Sequence, residues 1–397
     1  AEIGDDDDDD SARRKFVDPL HHNAWRRTTA SPRGTGTPLG GGGQSPPPQQ
    51  PSSADDDERE DDDQSRYAGS SRGAQLLQGP VLPRGAPQSP LLRAVYGPAW
   101  IEREDRLRRD SPYAGRVPGW RLASFLVKAD DDLRREQLAM QAVRLLDEIF
   151  RKERVGHWLR PYGVVCAGRR AGLVETLPDA KSLDHVKRET QRYLDAARLD
   201  VDQSFSLRPS TPLAEYFDLA YPGDAARLAA AHNFARSLAS YSVLCYVLDV
   251  KDRHNGNVLL DAAGRVVHID FGYSLGLSPG NINFETAPFK LNQDYLDVIG
   301  GFDSPAWATF VDVFARALHA LYRHRHHLHY LLLLHFQPAS KKTQHLISNN
   351  LALKFADLDG DPRTTQAVAN GLIREALQSD RTKQYDWYQW KTNKIVM

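Results

Sequence analysis

Residues 251–257 read Lys-Asp-Arg-His-Asn-Gly-Asn, and thirteen positions beyond Asn257 stands Asp270-Phe271-Gly272. Between these polar loops, the apolar runs Val258–Leu260 and Val266–Ile269 flank the turn-forming segment Asp261–Gly264, a pattern that predicts a β-hairpin. Either loop alone carries little information, because Asn-Gly-Asn is a common turn sequence and an Asp-Phe-Gly triplet arises by chance. Together, bracketing one hairpin at this spacing, they confine the chain to a fold that sets two acidic loops beside a two-stranded ribbon.

The spacing also selects a chemistry. Asp252 and Asn257 form Asp-x-x-x-x-Asn. In the protein-kinase template this spacing joins the residue that orients an acceptor hydroxyl to a magnesium ligand, and the Asp of Asp-Phe-Gly holds the cation on the β- and γ-phosphates of ATP. Asn257 and Asp270 are therefore candidate metal ligands. One amide oxygen and one carboxylate suit a hard cation that keeps part of its water shell, Mg²⁺ or Mn²⁺, with ATP as co-substrate. Asp252 is accordingly the candidate for orienting the acceptor hydroxyl.

The remainder of the chain divides by composition. Residues 1–90 carry Asp5–Asp10, the glycines 40–43, the prolines 46–48 and a second acidic block from Asp55 to Asp63, and predict a disordered acidic tail. Adjacent carboxylates on such a tail are not a preorganised metal cage. From about Leu91 the pattern predicts order: a strand over 121–129 bearing Lys128, a helix from about Asp132 to Lys152, and short strands over 162–167 and 173–177. An alanine-rich helix follows over 224–248, and helices from Pro305 onward. This is an α+β, two-lobed, protein-kinase-like arrangement. Residues 91–178 form a small mixed N-lobe and 179–397 a mainly helical C-lobe.

With 51 Lys and Arg against 52 Asp and Glu, no net field favours nucleic acid as a partner. Cys166 and Cys245 lie in apolar runs and read as small buried hydrophobes of a reduced compartment. The histidines between His319 and His335 have no nearby cysteine or carboxylate to complete a zinc site and read as a polar helix face. No apolar run approaches the roughly 20 residues that span a bilayer.

The order Asp-Arg-His, in place of His-Arg-Asp, resembles the phosphoinositide 3- and 4-kinase superfamily. KDRHNGNVLLDAAGRVVHIDFGYSLGLSPGNINFETAPFKL is similar to the catalytic and activation loops of type III phosphatidylinositol 4-kinases of the beta kind. The similarity extends over residues 97–397 through SPYAGRVPGWRL, KADDDLRREQLAMQ, RPYG, LVET and DVIGG. It implies a lipid kinase that moves the γ-phosphate of ATP to the 4-hydroxyl of phosphatidylinositol. It further implies that Lys128 contacts the ATP phosphates and that Glu136 positions it, that Asp252 and His254 share the activation of the acceptor hydroxyl, a task to which a neutral imidazole is suited near neutral pH, and that Arg253 buttresses this catalytic loop. Tyr162 would lie at the back of the adenine pocket, Glu175 to Leu177 would form the hinge, and Leu259 and Ile269 would cover the base from below. A cytoplasmic location, peripheral at intracellular membranes of the Golgi type, comes with the same resemblance.

Between Gly272 and Phe289 there is no Lys or Arg, and only then Lys290. A loop so poor in cations favours unphosphorylated phosphatidylinositol over inositides that already carry phosphates; Phe284 and Lys290 are its candidate substrate contacts. Charge does not separate the 4-hydroxyl from the 3-hydroxyl, and a phosphatidylinositol 3-kinase remains the alternative on physical grounds. The terminal YDWYQWK, residues 385–391, resembles the family's YDxFQxxTNGIM, with Lys394 where the family has glycine. Its Tyr, Trp and Lys residues suit a helix with one face docked on the C-lobe and another presented to a membrane. The phosphate-covering loop should fall within Gly79–Trp100, a Pro-rich stretch that reads poorly as a strand pair. A pseudokinase scaffold with an incomplete nucleotide lid is therefore a rival reading. A protein Ser/Thr kinase of the related large-kinase group is another, opposed by FETAPFKL and the aromatic C-terminus.

Overall fold

The computed structural model describes residues 88–199, 212–275 and 287–397, all within the unit Leu76–Met397. The tail predicted over 1–90 lies, up to residue 87, outside the described residues. The described chain opens with helices α1 (Pro90–Tyr96) and α2 (Trp100–Asp110). The Ser89 hydroxyl accepts a hydrogen bond from the N–H of Leu92 (3.2 Å), and Pro90 stands in the first turn, where a missing N–H costs nothing. The described part of Gly79–Trp100, the stretch that reads poorly as a strand pair, holds helix and no strand. Its apolar residues are grouped as Leu91, Leu92, Val95 and Tyr96, a helical face and not an alternating one.

The small lobe is built on β1 (Phe125–Ala129), α3 (Arg134–Lys152), β2 (Val164–Cys166) and β3 (Ala171–Glu175), the strands running antiparallel in the order β1-β3-β2. Leu138, Ala142, Val143, Leu146, Ile149 and Phe150 recur at helical spacing and give α3 its buried face. The helix closes on the sheet at Gly172, which lies opposite both Lys128 and Cys166. A Cβ there would stand 2.3 Å from the Val165 carbonyl oxygen and 2.6 Å from Leu133 Cδ1, so only glycine fits. All five residues of β1 are exposed.

The large lobe begins with β4 (Ala180–Ser182), α4 (Leu183–Leu199), α5 (Pro212–Ala220) and α6 (Asp224–Leu248), then the hairpin β5 (Val258–Asp261) and β6 (Val266–His268). It continues through α7 (Gln293–Ile299), α8 (Pro305–Arg323), α9 (Arg325–His335), α10 (Lys341–Lys354), α11 (Pro362–Gln378) and α12 (Asp380–Asn393). β4 joins the hairpin in a second antiparallel sheet, β4-β5-β6, and α1 packs on α4, α5 and β4. So α1, placed in the N-lobe by the sequence reading, adheres to large-lobe elements. The small alanines and serines of α6 let α8 lie close along it, and α6 is buried on nearly every side from Ala230 onward. Asp249, left-handed at φ 48°, ends α6 and turns the chain into residues 251–257. No helix among the described residues is long and apolar enough to cross a membrane.

Candidate active site

The hairpin sorts its side chains by the two-residue period of a strand. Val258 faces His268 and Leu259 faces Val267 across the ladder, and the Ile269 N–H donates to the Asn257 carbonyl (3.1 Å). Asn257, Leu259 and Ile269 therefore share one face, while Val258, Leu260 and His268 take the other. His268 is buried, stacked on Tyr241 with ring centroids 4.7 Å apart and with Nδ1 3.3 Å from Cys245 Sγ, which ties the hairpin to α6. Burial holds its pKa far below the usual imidazole value.

Asp270-Phe271-Gly272 is gripped from two sides. Arg253 donates from Nε to the Lys251 carbonyl (3.0 Å), from Nη1 to that of Ile269 (2.8 Å) and from Nη2 to that of Asp270, and its guanidinium lies 5.3 Å from the centre of the Phe271 ring. From α3, the Glu136 carboxylate accepts the N–H groups of Asp270 (3.3 Å) and Phe271 (2.6 Å) together with the Tyr162 hydroxyl, and Arg135 Nη1 donates to the Gly272 carbonyl (3.1 Å). Burial raises the Glu136 pKa, against the Phe271 N–H and the Tyr162 hydroxyl, which favour its charged form.

Lys128 is not joined to Glu136. Its Nζ pairs with Asp131 Oδ2 at 3.3 Å, three residues along the same exposed turn. The physical reason is competition: Glu136 is already engaged by two backbone amides and a phenol, and the nearest open carboxylate to an exposed strand end is the one beside it.

In the catalytic loop, Asp252 and Asp270 are both left-handed, with φ 64° and 58°. Such conformations cost of order 1–3 kcal/mol outside glycine and persist where surroundings over-determine them. Asn257 Nδ2 donates to the Asp252 carbonyl oxygen (3.0 Å) and to Oδ2 (3.3 Å). His254 Nε2 lies 3.6 Å from Asp252 Oδ1, and its Nδ1 accepts the Gly256 N–H (3.0 Å). That acceptor role places the proton of the neutral ring on Nε2, toward Asp252. Burial lowers the His254 pKa, opposed by the Asp252 charge, so the ring is held neutral. Gly256 makes room for it, since a Cβ would stand 2.8 Å from ring carbon Cε1 and 2.9 Å from Nδ1.

A divalent cation fits the donor set. The Asn257 amide nitrogen is spent on Asp252, which leaves its oxygen as the ligating end, and Asp270 offers an exposed carboxylate next in chain to Ile269, the strand partner of Asn257. Two hard oxygen donors suit an ion that fills its shell with water and phosphate. Three-member clusters of His, Cys, Asp and Glu do not occur among the described residues.

The other sequence candidates are distributed as follows. Tyr162 is buried beside Glu136; Leu259 and Ile269 are half-buried on the hairpin face. Glu175 spends its carboxylate on the Gly163 N–H (2.6 Å), and the Thr176 N–H goes to the Ser124 carbonyl (3.1 Å), so these hinge amides serve the sheet edge; Leu177 follows, half-buried. Lys290, expected to face lipid, is buried instead, 2.6 Å from Asp386 Oδ1 and 3.1 Å from Asn255 Oδ1. Phe284 lies outside the described residues.

A family model described as "Phosphatidylinositol 3- and 4-kinase" matches residues 123–337, from just before β1 past the end of α9. The chain belongs to the phosphatidylinositol 3- and 4-kinase family. Among its relatives, a "Phosphatidylinositol 4-kinase" of Dictyostelium discoideum is 35% identical over 308 residues, 76% of this chain and 24% of that protein. "Phosphatidylinositol 4-kinase beta" of Sorex araneus is 35% identical over 324 residues, 81% and 38%, and that of Homo sapiens 34% over 324 residues, 81% and 37%. The chain thus spans between a quarter and two-fifths of the length of these curated relatives. The matched span holds both loops and α3 but ends before α12.

Sequence reasoning passes over four residues of this centre: Arg135, Gly256, Tyr385 and Asp386. Arg135 neighbours a singled-out glutamate, and Gly256 sits within the quoted loop. Tyr385 and Asp386 touch Asp252 and Lys290 from 133 and 96 positions away, a separation that leaves no local signal.

Proposed function

We propose that this chain carries the catalytic domain of a lipid kinase that transfers the γ-phosphate of ATP to the 4-hydroxyl of phosphatidylinositol. One arrangement carries the reading: Asp252, His254, Asn257 and Asp270 stand on two loops that Arg253 binds together, the second gripped also by Glu136, in a chain whose relatives are named phosphatidylinositol 4-kinases. In the reaction, the inositol oxygen attacks the γ-phosphorus, its proton passes to the Asp252–His254 pair, and the bond to the departing ADP oxygen breaks. With the His254 proton on Nε2 and Nδ1 taken by the Gly256 N–H, the Asp252 carboxylate is the member of the pair that takes the proton, and neutral His254 orients it. Asn257 and Asp270 would hold Mg²⁺ or Mn²⁺, which when bound offsets phosphate charge. Leu259, Ile269 and the hinge at Glu175–Leu177 would receive adenine, with Tyr162 behind. For Lys128 to reach phosphate it must leave Asp131, an exposed pair worth only about 0–1 kcal/mol, so the exchange is easily made.

Phosphatidylinositol resides in a bilayer, and α12 supports peripheral contact. Trp387, Tyr388 and Trp390 are 49%, 49% and 47% exposed, with Lys391 over the Trp387 ring. A cytoplasmic site at Golgi-type intracellular membranes accords with the resemblance to the beta kind. One observation favours a second reading as a scaffold: among the described residues before β1, the chain forms α1 and α2 and no lid strands, and β1 is exposed along its whole length.

Incubation with labelled ATP, Mg²⁺ and phosphatidylinositol vesicles, followed by identification of the product isomer, decides between these. The 4-phosphate is expected. A 3-phosphate would reassign the hydroxyl, and phosphorylated peptide in a parallel assay would reassign the acceptor. Absence of both ATP binding and product would favour the scaffold.

A further inference from the structure

The C-terminal helix meets the catalytic loop through a directed line of hydrogen bonds. Tyr385, Gln389 and Asn393 are spaced four apart on α12 and so stack along one face. Asn393 Nδ2 donates to Gln389 Oε1 (2.6 Å), Gln389 Nε2 donates to the Tyr385 hydroxyl oxygen (2.7 Å), and the Tyr385 hydroxyl donates to Asp252 Oδ1. Donor chemistry sets the direction: a phenol that accepts from an amide keeps one proton to give, and a carboxylate takes it. Tyr385 and Gln389 are 5% and 6% exposed, so from an exposed end at Asn393 the line passes to Asp252 out of reach of bulk water.

A second group of contacts seats the helix independently. Lys290 pairs with Asp386, Asn255 Nδ2 donates to the Val396 carbonyl (2.8 Å), and the Val396 N–H donates to Asp184 Oδ1 (2.7 Å). At the loop, Asn257 holds Asp252 Oδ2 while Tyr385 holds Oδ1, so both carboxylate oxygens are constrained and the one shared with His254 is the one Tyr385 grips.

We propose that Tyr385 is a positioning residue of the phosphoryl-transfer centre: acting through Asp252, it holds the carboxylate toward His254 and the acceptor hydroxyl, and Gln389 sets the direction in which Tyr385 gives its proton. This rests on the kinase reading above. It makes α12 part of the reaction centre as well as a surface for lipid.

Two near-isosteric substitutions test it in the full chain. Tyr385→Phe removes only the hydroxyl. Gln389→Glu keeps size but replaces the donor by an acceptor, which draws the Tyr385 proton away from Asp252. Both are expected to lower kcat by on the order of ten- to a hundredfold, the range for losing a hydrogen bond to a charged group, with KM for ATP and for phosphatidylinositol vesicles within about twofold. Should Gln389→Glu not fold, Gln389→Met withdraws the donor without offering an acceptor and is expected to give a smaller kcat loss. Unchanged kcat in Tyr385→Phe, a defect confined to the vesicle KM, or losses that merely follow Tm would overturn the proposal. If the unmodified protein makes no lipid product, the substrate reading fails and the relay is read on ATP hydrolysis without lipid. There the same variants slow hydrolysis or, by leaving it unchanged, refute the relay; absence of hydrolysis as well refutes both.

Discussion

In the proposed reaction His254 works beside Asp252 only while its ring stays over the loop, and that depends on a side chain that is missing two residues on. The Gly256 N–H anchors Nδ1, and any Cβ at 256 would strike the ring. Gly256→Ala is accordingly expected to lower kcat by about tenfold or more through misplacement of a reacting group, with a far smaller effect on Tm. Equal losses of activity and stability would point to collapse of the loop instead. Asp270 makes the contrasting case, because its carboxylate is exposed and accepts a bond from the nearby Gly272 N–H (3.4 Å). Asp270→Ala should reduce phosphoryl transfer to background at a stability cost of only about 1 kcal/mol, which comes from the left-handed backbone that alanine tolerates less well than aspartate; measurable lipid phosphorylation by this variant would remove Asp270 from the metal set.

Asp261, at the hairpin turn, is fully buried. Burial pushes its pKa from 3.8 up to about 6, against the N–H groups of Arg265 and Ala263 and the Arg265 charge. Because the folded value is the higher one, the stability it contributes is complete below about pH 4 and is lost as pH rises through 6. The displacement corresponds to on the order of 3 kcal/mol. Asp261→Asn keeps the Oδ1 acceptor without the charge, so the difference in unfolding free energy between variant and parent should grow in the variant's favour from pH 4 to 7. A difference that is flat with pH would contradict this. Spacing makes Asp252, Asn257 and Asp270 legible in the sequence, since chemistry demands them at set intervals. Gly256 and Asp261 are not legible, since their significance is the proximity of one ring and the exclusion of water.

Among the elements, α6 was readable to its ends, Asp224–Leu248, because alanine-rich composition, an acidic first turn and a closing Asp agree with one another. The hairpin was readable within a residue for the same reason of local consistency. β4 was not: three residues, Ala180–Ser182, become a strand only because β5 offers them a ladder. α12 stands between these cases. Its aromatic content announced an amphipathic helix, yet which side faces the protein was decided by Lys290, which it covers. Asp386→Ala leaves a buried ammonium short of its carboxylate and is expected to cost about 3–5 kcal/mol, whereas the double change Lys290→Met with Asp386→Leu should recover most of that loss. Chemical denaturation of the two variants measures the coupling; equal losses would show that the pair contributes no more than its parts.

For the molecule as a whole, the opposite face of α12 is the one that the proposed function offers to lipid. Replacing Trp387 and Trp390 by Ala removes two half-exposed indoles and is expected to weaken vesicle partitioning by about tenfold or more, given roughly 1.5–3 kcal/mol for full burial of a large apolar side chain. ATP hydrolysis without vesicles should be retained, which separates membrane contact from the Tyr385 relay on the buried face. Unaltered cosedimentation with phosphatidylinositol vesicles would exclude this face as the contact.

By itself the sequence determined α3, α6, the hairpin, the two acidic loops and the family, because each depends on residues near one another in the chain or on patterns with a fixed period. Only the tertiary structure decided who partners whom. It gave Glu136 to the Asp-Phe-Gly amides and not to Lys128, withdrew Lys290 from the substrate loop into a pair with Asp386, set α1 against the large lobe, and brought Tyr385 onto Asp252. A carboxylate or an ammonium takes the partner that burial and distance leave it, and those are properties of packing that no spacing along the chain encodes.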